Sequence, residues 1–477
     1  MKRIINILCL KLVFLLFILF SAPVFSAAAG SNLPVPDKLI YPPLQFNLPD
    51  AERLVLENGI VLYILEDHEL PLVTINALIK TGTMYDPLGK EGVAELTTYV
   101  MKTGGTQKLS STEIDNQFDF IAASPSLTAN LDSAQVNFSF LNKDIDQGLE
   151  LLSQILITPA FEQNKFDLAK GLKNEELRRL KDDPQKLAVR EFNRIIYRDN
   201  SRGRFASRQS LKNIEREDLI KFHGQFFQPQ NFMFAITGDI TREEAVNKIS
   251  RYFGSWKSDR NSISPSLPPQ NSNNGLFYIN KEIPQSTIIS GQLSPGKNHP
   301  DFYAFTVLDF IIGSGGFPSR IFSAVRNNEG LAYSAGSFYR ARYDHGVFAA
   351  YAFTKTESTF QTLSLINSVL DNVQSGTITA NEIEWAKKSI INGFIFSFTS
   401  PEQIAWQQMK REYDMLPPDF LSTYRNKIES MKVDDLNKIA AKYLNIKNNS
   451  TLILGDTKKF GQSLTNIGQP VLIIPED

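Results

Sequence analysis

A polar, proline-rich stretch at residues 257–275, KSDRNSISPSLPPQNSNNG, separates two parts of the chain that run through the same order of elements. Before it, strand patterns at 54–56 and 61–65 flank an Asn58-Gly59 turn, and a third strand follows at 72–79. Helical periodicity then covers 91–103, 111–119, 143–156 and 162–181, with alternating strand patterns at 127–131 and 134–140. A strand at 232–237, a Gly238-Asp239 turn and a helix to Phe253 close this part. After the linker, strands at 276–279 and 286–293 and a helix at 301–312 restart the plan. A helix at 377–396 parallels 162–181, and Thr451 to Gly455-Asp456 parallels the strand before Gly238-Asp239. Duplication of this kind predicts two similar α+β domains, at 51–256 and 276–477, preceded by an extended arm at 30–50.

The first 29 residues have a different character. Lys2, Arg3 and Lys11 precede nine apolar residues at 12–20, and the small residues Ser26, Ala27, Ala28 and Ala29 follow. This is the pattern of a secretory signal peptide. The apolar run is shorter than the roughly 20 residues of a membrane span, so no span is expected in the mature protein; an uncleaved anchor is the alternative. Cleavage removes three of 50 basic residues and no acidic one, leaving 47 against 51 acidic, a balance that gives no reason to expect nucleic acid as a partner. The single cysteine, Cys9, leaves with the signal, so the exported chain has neither a disulfide nor a nucleophilic thiol. The expected location is across the inner membrane, in the periplasm or the medium.

Residues 91–106, EGVAELTTYVMKTGGT, predict a short buried helix: Val93, Leu96, Val100 and Met101 share one face, and Gly104-Gly105 supplies the cap. This stretch resembles the inner helix of the insulinase and pitrilysin zinc peptidases (family M16). There, an inverted His-x-x-Glu-His motif follows Gly-x-Ala and precedes Gly-Thr. Gly92, Ala94, Gly105 and Thr106 keep the frame, but the motif positions hold Glu95, Thr98 and Tyr99. A catalytic zinc requires about three protein ligands, mostly imidazole, and a carboxylate base beside its water. Glu95 could ligate, Tyr99 is a poor ligand at neutral pH, and Thr98 cannot act as a base. The resemblance places a third ligand on a later helix, where Glu175 is the best match; a solvated charge beside Arg178 is the plain alternative.

No other catalytic motif replaces the missing one. The four histidines, His68, His223, His299 and His345, are too scattered to share a helix face. His223, in FHGQFFQPQN, reads as a packing residue and His68 as an exposed residue between strands. The run Gly313 to Gly316 lacks the Gly-Lys-Ser of a phosphate loop, and Ser294-Pro-Gly-Lys297 lies in a loop rather than at a helix start.

The strongest positive signal is at residues 319–334, SRIFSAVRNNEGLAYS, where a helix ends at an Asn-Asn-Glu-Gly turn and a strand begins at Leu331. This resembles the second-domain signature of the same family, in which an Arg and a Tyr reach the substrate bound at the zinc; Arg326 and Tyr333 match that pair. A guanidinium and a phenol can both donate to a peptide carbonyl and to the oxyanion formed from it. Pairing of Arg326 with Glu329 along the helix is the unremarkable alternative.

The resemblance implies two domains, each a mostly antiparallel sheet flanked by helices, arranged as a clamshell of the LuxS/MPP-like metallohydrolase fold. It also implies a peptide substrate, added as a strand to a sheet edge for which residues 72–80 are the candidate. A chain that lacks the zinc motif but keeps the Arg–Tyr pair is expected to be the non-catalytic subunit of a secreted heteromeric peptidase. Its partner would be an M16 homologue with an intact His-x-x-Glu-His motif, and the zinc would belong to that partner. Two alternatives remain: a scaffold or peptide-binding protein without a proteolytic role, and a peptidase with an atypical metal site at Glu95 and Glu175.

Overall fold

The computed structural model describes residues 49–257 and 273–475. The expected signal peptide, nearly all of the arm and the body of the linker lie outside these residues. The first domain contains β1 (Glu52–Val55), β2 (Val61–Glu66), β3 (Leu72–Ile79), α1 (Val93–Thr103), α2 (Ser111–Phe120), β4 (Ser126–Ala129) and β5 (Ala134–Leu141). It continues with α3 (Ile145–Ile157), α4 (Gln163–Leu180), α5 (Pro184–Tyr197), α6 (Arg208–Asn213), α7 (Arg216–Phe226), β6 (Phe232–Gly238) and α8 (Arg242–Phe253). The second domain contains β7 (Gly275–Asn280), β8 (Gln285–Ser294), α9 (Phe302–Asp309), α10 (Arg320–Phe322), β9 (Ala332–Ala341) and β10 (Gly346–Lys355). Then come α11 (Thr359–Gln374), α12 (Ala380–Ile395), α13 (Pro401–Tyr413), α14 (Phe420–Glu429), α15 (Val433–Tyr443), β11 (Ser450–Gly455) and β12 (Pro470–Leu472).

Each domain has one six-stranded sheet flanked by helices, ordered β1-β2-β6-β3-β5-β4 in the first and β12-β7-β11-β8-β10-β9 in the second. Five of the six positions correspond. β2 and β7 run parallel to β6 and β11, which pair antiparallel with β3 and β8, then β5 and β10, and finally the edges β4 and β9. The duplication read from the order of elements is thus a duplication of topology, and the fold is the α+β clamshell.

Two helices cross between the domains. In α5, Leu187, Ala188, Phe192, Ile195 and Ile196 pack not on their own sheet but on Phe277, Ile279, Ile289, Val347, Leu452 and Leu454 of the other. Reciprocally, Ala405 and Met409 of α13 pack on Tyr63, Leu78, Met233 and Ala235. Each buried Leu, Ile, Phe or Met among them contributes about 1.5–3 kcal/mol, so the exchange ties the two domains together. Both helices start on the same signal, a capping residue followed by proline at the first helical position: Asp183 accepts from the Lys186 N–H at 3.1 Å, and Ser400 from Gln403 at 3.2 Å.

Polar contacts fasten the same seam. Glu412 of α13 accepts from both Nε and Nη2 of Arg53, at 2.6 and 2.7 Å, and from the Tyr63 hydroxyl. Arg342 pairs with Asp132, whose carbonyl also accepts from the Tyr413 hydroxyl at 2.6 Å. His345, buried at the β9–β10 turn, joins Asp344 at 2.6 Å to Tyr197 of α5 at 3.0 Å.

Candidate functional site

The helix α1 is held at its start by a residue that sequence reasoning missed. The Asp86 carboxylate accepts from the backbone N–H groups of Gly92 at 2.7 Å and Ala94 at 2.8 Å, filling the role of a cap from outside the helix. Gly92 adopts a left-handed φ of 110°, which a side chain would strain. Burial pushes the Asp86 carboxyl up to about 7, against the pull of those two N–H donors. The signal was present as an Asp six residues before the Gly-Val-Ala start, but nothing in the spacing marks it as a cap.

Along α1, Glu95 faces α4. There the Lys173 ammonium lies 3.0 Å from Glu95 and 3.0 Å from Glu176, with the lysine side chain only 14% exposed. Burial pulls the Lys173 ammonium down, but the two carboxylates outweigh it and hold it above its ordinary value. Thr98 is buried, and its hydroxyl donates back to the carbonyls of Glu95 at 3.0 Å and Ala94 at 3.2 Å. Tyr99 is partly exposed. Glu95, Thr98, Tyr99 and Glu176 line one cavity of about 350 Å³.

Glu175 shares a larger cleft of about 660 Å³ with Glu95, but its carboxylate is engaged elsewhere. It accepts from Nε and Nη2 of Arg178 and from Nε of Arg179, all at 2.8 Å, and Arg178 and then Arg179 hold it down to about 2. The acidic residue linked to Glu95 is therefore Glu176, through Lys173.

This donor set does not fit zinc. It offers no imidazole, its one inward hydroxyl is spent on its own helix, and a lysine ammonium already sits between the two carboxylates where a dication would need their charge. Among the described residues, no group of three or more His, Cys, Asp or Glu is arranged to hold a metal ion.

In the second domain, Arg326 lies in a π-helical turn, Ser323–Asn328, that continues α10, and Tyr333 follows at the start of β9. The Arg326 guanidinium sits 5.0 Å from the centre of the Tyr333 ring, 5.0 Å from Phe322 and 5.5 Å from Phe317. Among the described residues no carboxylate pairs with it, Glu329 included. Tyr333 is 82% exposed. The structure brings the two side chains together, but none of the cavities around Glu95 described above includes either residue. The run Gly313 to Gly316 proves to be a packing device. A Cβ on Gly313 would lie 2.2 Å from the Ser337 nitrogen, so the glycine lets a second π-helical turn, Phe310–Ser314, press against β9.

One expectation is corrected. Residues 72–80 do not offer a free edge, because β3 pairs with β5 on one side and β6 on the other. The edge beside Glu95 is β4, whose Leu127, Thr128 and Ala129 line the same cavity as Glu95 and Tyr99. A single chain shows strand periodicity but not which strands are outermost. His223 packs as expected: its Nε2 lies 2.8 Å from the Leu156 carbonyl, the ring stacks on Phe227, and burial takes it down to about 4. His68 is exposed, 2.7 Å from Asp239.

Comparison with known proteins places this geometry. Residues 62–207 match the family profile for insulinase (peptidase family M16), and residues 213–390 match that for the peptidase M16 inactive domain. The boundary between the two falls inside the first domain, before α7 and β6. An uncharacterised zinc protease of Rickettsia bellii is 26% identical over 70% of this chain and 81% of its own length. The zinc protease PqqE of Helicobacter pylori is 22% identical over 86% of this chain and 94% of its own. Among solved structures, a peptidase M16 inactive domain from Pseudomonas fluorescens superposes with a TM-score of 0.79 at 22% identity, covering 86% of this chain and 98% of that one. The periplasmic protease PqqL of Escherichia coli superposes at 0.71 with 17% identity, over 86% of this chain but 46% of its own. The chain belongs to the M16 peptidase family, as a member that lacks the family's catalytic features.

Proposed function

We propose that this protein is the non-catalytic subunit of a secreted, heteromeric M16 peptidase, and that it lends Arg326 and Tyr333 to the zinc site of a partner carrying an intact His-x-x-Glu-His motif. The observation that carries this reading is a division within the chain. The position that matches the family's metal site holds an internal Glu95–Lys173–Glu176 bridge, while Arg326, half-buried and without a carboxylate partner among the described residues, stays beside an exposed Tyr333. Tyr333 is exposed, and Arg326, seated on aromatic rings rather than on a carboxylate, keeps its N–H donors uncommitted to any acid among the described residues. Its seat in a π-helical turn agrees, because such turns occur frequently at functional sites.

The substrate in this reading is an extended peptide, which the free edge of β4 could take as an added strand. The zinc belongs to the partner. The periplasmic location rests on the N-terminal signal pattern; no helix among the described residues is long and apolar enough to cross a membrane.

Affinity capture of the tagged mature protein from its own cells, with mass spectrometry of what is retained, tests the reading. A stoichiometric homologue with the zinc motif is the expected result. Recovery of this chain alone would overturn the heteromeric assignment in favour of a self-contained binding protein.

A further inference from the structure

A third cavity, of about 280 Å³, opens between the two domains and is rich in arginine: Arg202 and Arg204 come from the first domain, Arg340 and Arg342 from the second. Arg342 is paired with Asp132, and Arg202 lies 3.1 Å from Asp344. Arg204 is held more loosely. It lies 3.9 Å from Glu91 and donates to the Asp86 carbonyl at 3.3 Å, and its buried Nε has no acceptor. Arg340 has no acidic partner among the described residues; its guanidinium rests 4.9 Å from the centre of the Phe338 ring.

The acidic side chains on the wall do not neutralise this surplus. Glu95 is committed to Lys173, and Asp86 to the two N–H groups at the start of α1. The cavity also continues the edge of β4: Ala129, the last residue of that strand, lines it together with Asn130 and Leu131. A peptide laid parallel to β4 would therefore run its C-terminal end into the arginines. The volume is small for a ligand site and suits a chain terminus rather than a whole peptide.

We propose that this cavity is a carboxylate-binding subsite, in which Arg340, assisted by Arg204, receives the C-terminal carboxylate of a peptide bound along β4. The planar fork of a guanidinium matches a carboxylate with two parallel hydrogen bonds. The identity of the ligand rests on the peptide-binding reading above; the cationic character of the cavity does not.

The test uses the mature full-length chain and one short labelled peptide without acidic side chains, prepared as the free acid and as the C-terminal amide. Fluorescence anisotropy should show the free acid binding at least about tenfold tighter to the wild type, and the two forms binding alike to R340Q. Arg340 is exposed, so R340Q should fold. Equal affinities of acid and amide for the wild type would overturn the subsite while leaving peptide binding in place. Binding of neither would overturn the peptide reading and the subsite with it. Inorganic phosphate separates the two sources of anion: phosphate that binds the wild type but not R340Q, with no preference between the peptides, would overturn the C-terminal assignment in favour of a free-anion site.

Discussion

The ammonium of Lys173 lies 3.0 Å from the carboxylate of Glu95, so a side chain of α4 supplies the positive charge that a metal supplies in a zinc peptidase. Two partly exposed acids, Glu95 and Glu176, are bridged by one largely buried base. The bridge both ties α4 to α1 and makes the position hostile to a dication.

The first prediction concerns that bridge. The purified chain should hold no stoichiometric zinc by elemental analysis after exposure to micromolar metal and desalting. K173M keeps the aliphatic stem but leaves the two acids facing each other; because both are more than a third exposed, the loss should be modest, about 1 kcal/mol. One zinc per wild-type chain, lost in E95Q, would show that the bridge opens for a metal.

Much of the fold was legible before the structure, and the reasons are specific. β2, β3, β5 and β11 alternate or run largely apolar, and Asn58-Gly59 marks the first hairpin. The exchange of α5 and α13 was not legible. Periodicity reports that Leu187, Phe192 and Ile196 share a face, not that the face belongs to the other domain's sheet. At the site, the absence of the zinc motif and the presence of Arg326 and Tyr333 could be read from residue identities. Lys173 could not, since a lysine in KNEELRR is an ordinary surface residue until α4 is placed against α1.

The second prediction concerns the seam between domains. The Arg53 hydrogen bonds set the Glu412 carboxyl below its ordinary value against the opposing effect of burial, and burial with the Glu412 hydrogen bond pushes the Tyr63 phenol up to about 12. A depressed acid stabilises the fold fully above its unfolded pKa of about 4.5 and loses that contribution as pH falls through the lower folded value. E412Q should therefore cost about 1–2 kcal/mol at pH 7, with Arg53 partly solvated, and should converge on the wild type in acid. Denaturant titrations at several pH values would show this; a gap that persists in strong acid would contradict it.

The third prediction concerns His223, whose folded pKa of about 4 lies below the ordinary 6.5 because the ring is buried. Between those values the unfolded chain binds more protons than the folded one. Stability from a neutral His223 is thus complete above pH 6.5 and is lost as pH falls toward 4, by on the order of 3 kcal/mol. H223Q can still donate to the Leu156 carbonyl but does not titrate. Its stability should therefore fall less steeply than that of the wild type over this window, and identical slopes would rule out burial of a neutral imidazole.

The most direct test of the central claim is the steady-state turnover of a peptide by the complex of this chain with the zinc-bearing partner proposed for it, compared for the wild type and R326A/Y333A. Donors to a developing oxyanion act mainly on turnover, so kcat should fall about 100-fold or more while the two chains still co-elute at the same ratio. Unchanged turnover in an intact complex would contradict the account, because Arg326 and Tyr333 would then be surface residues of a scaffold.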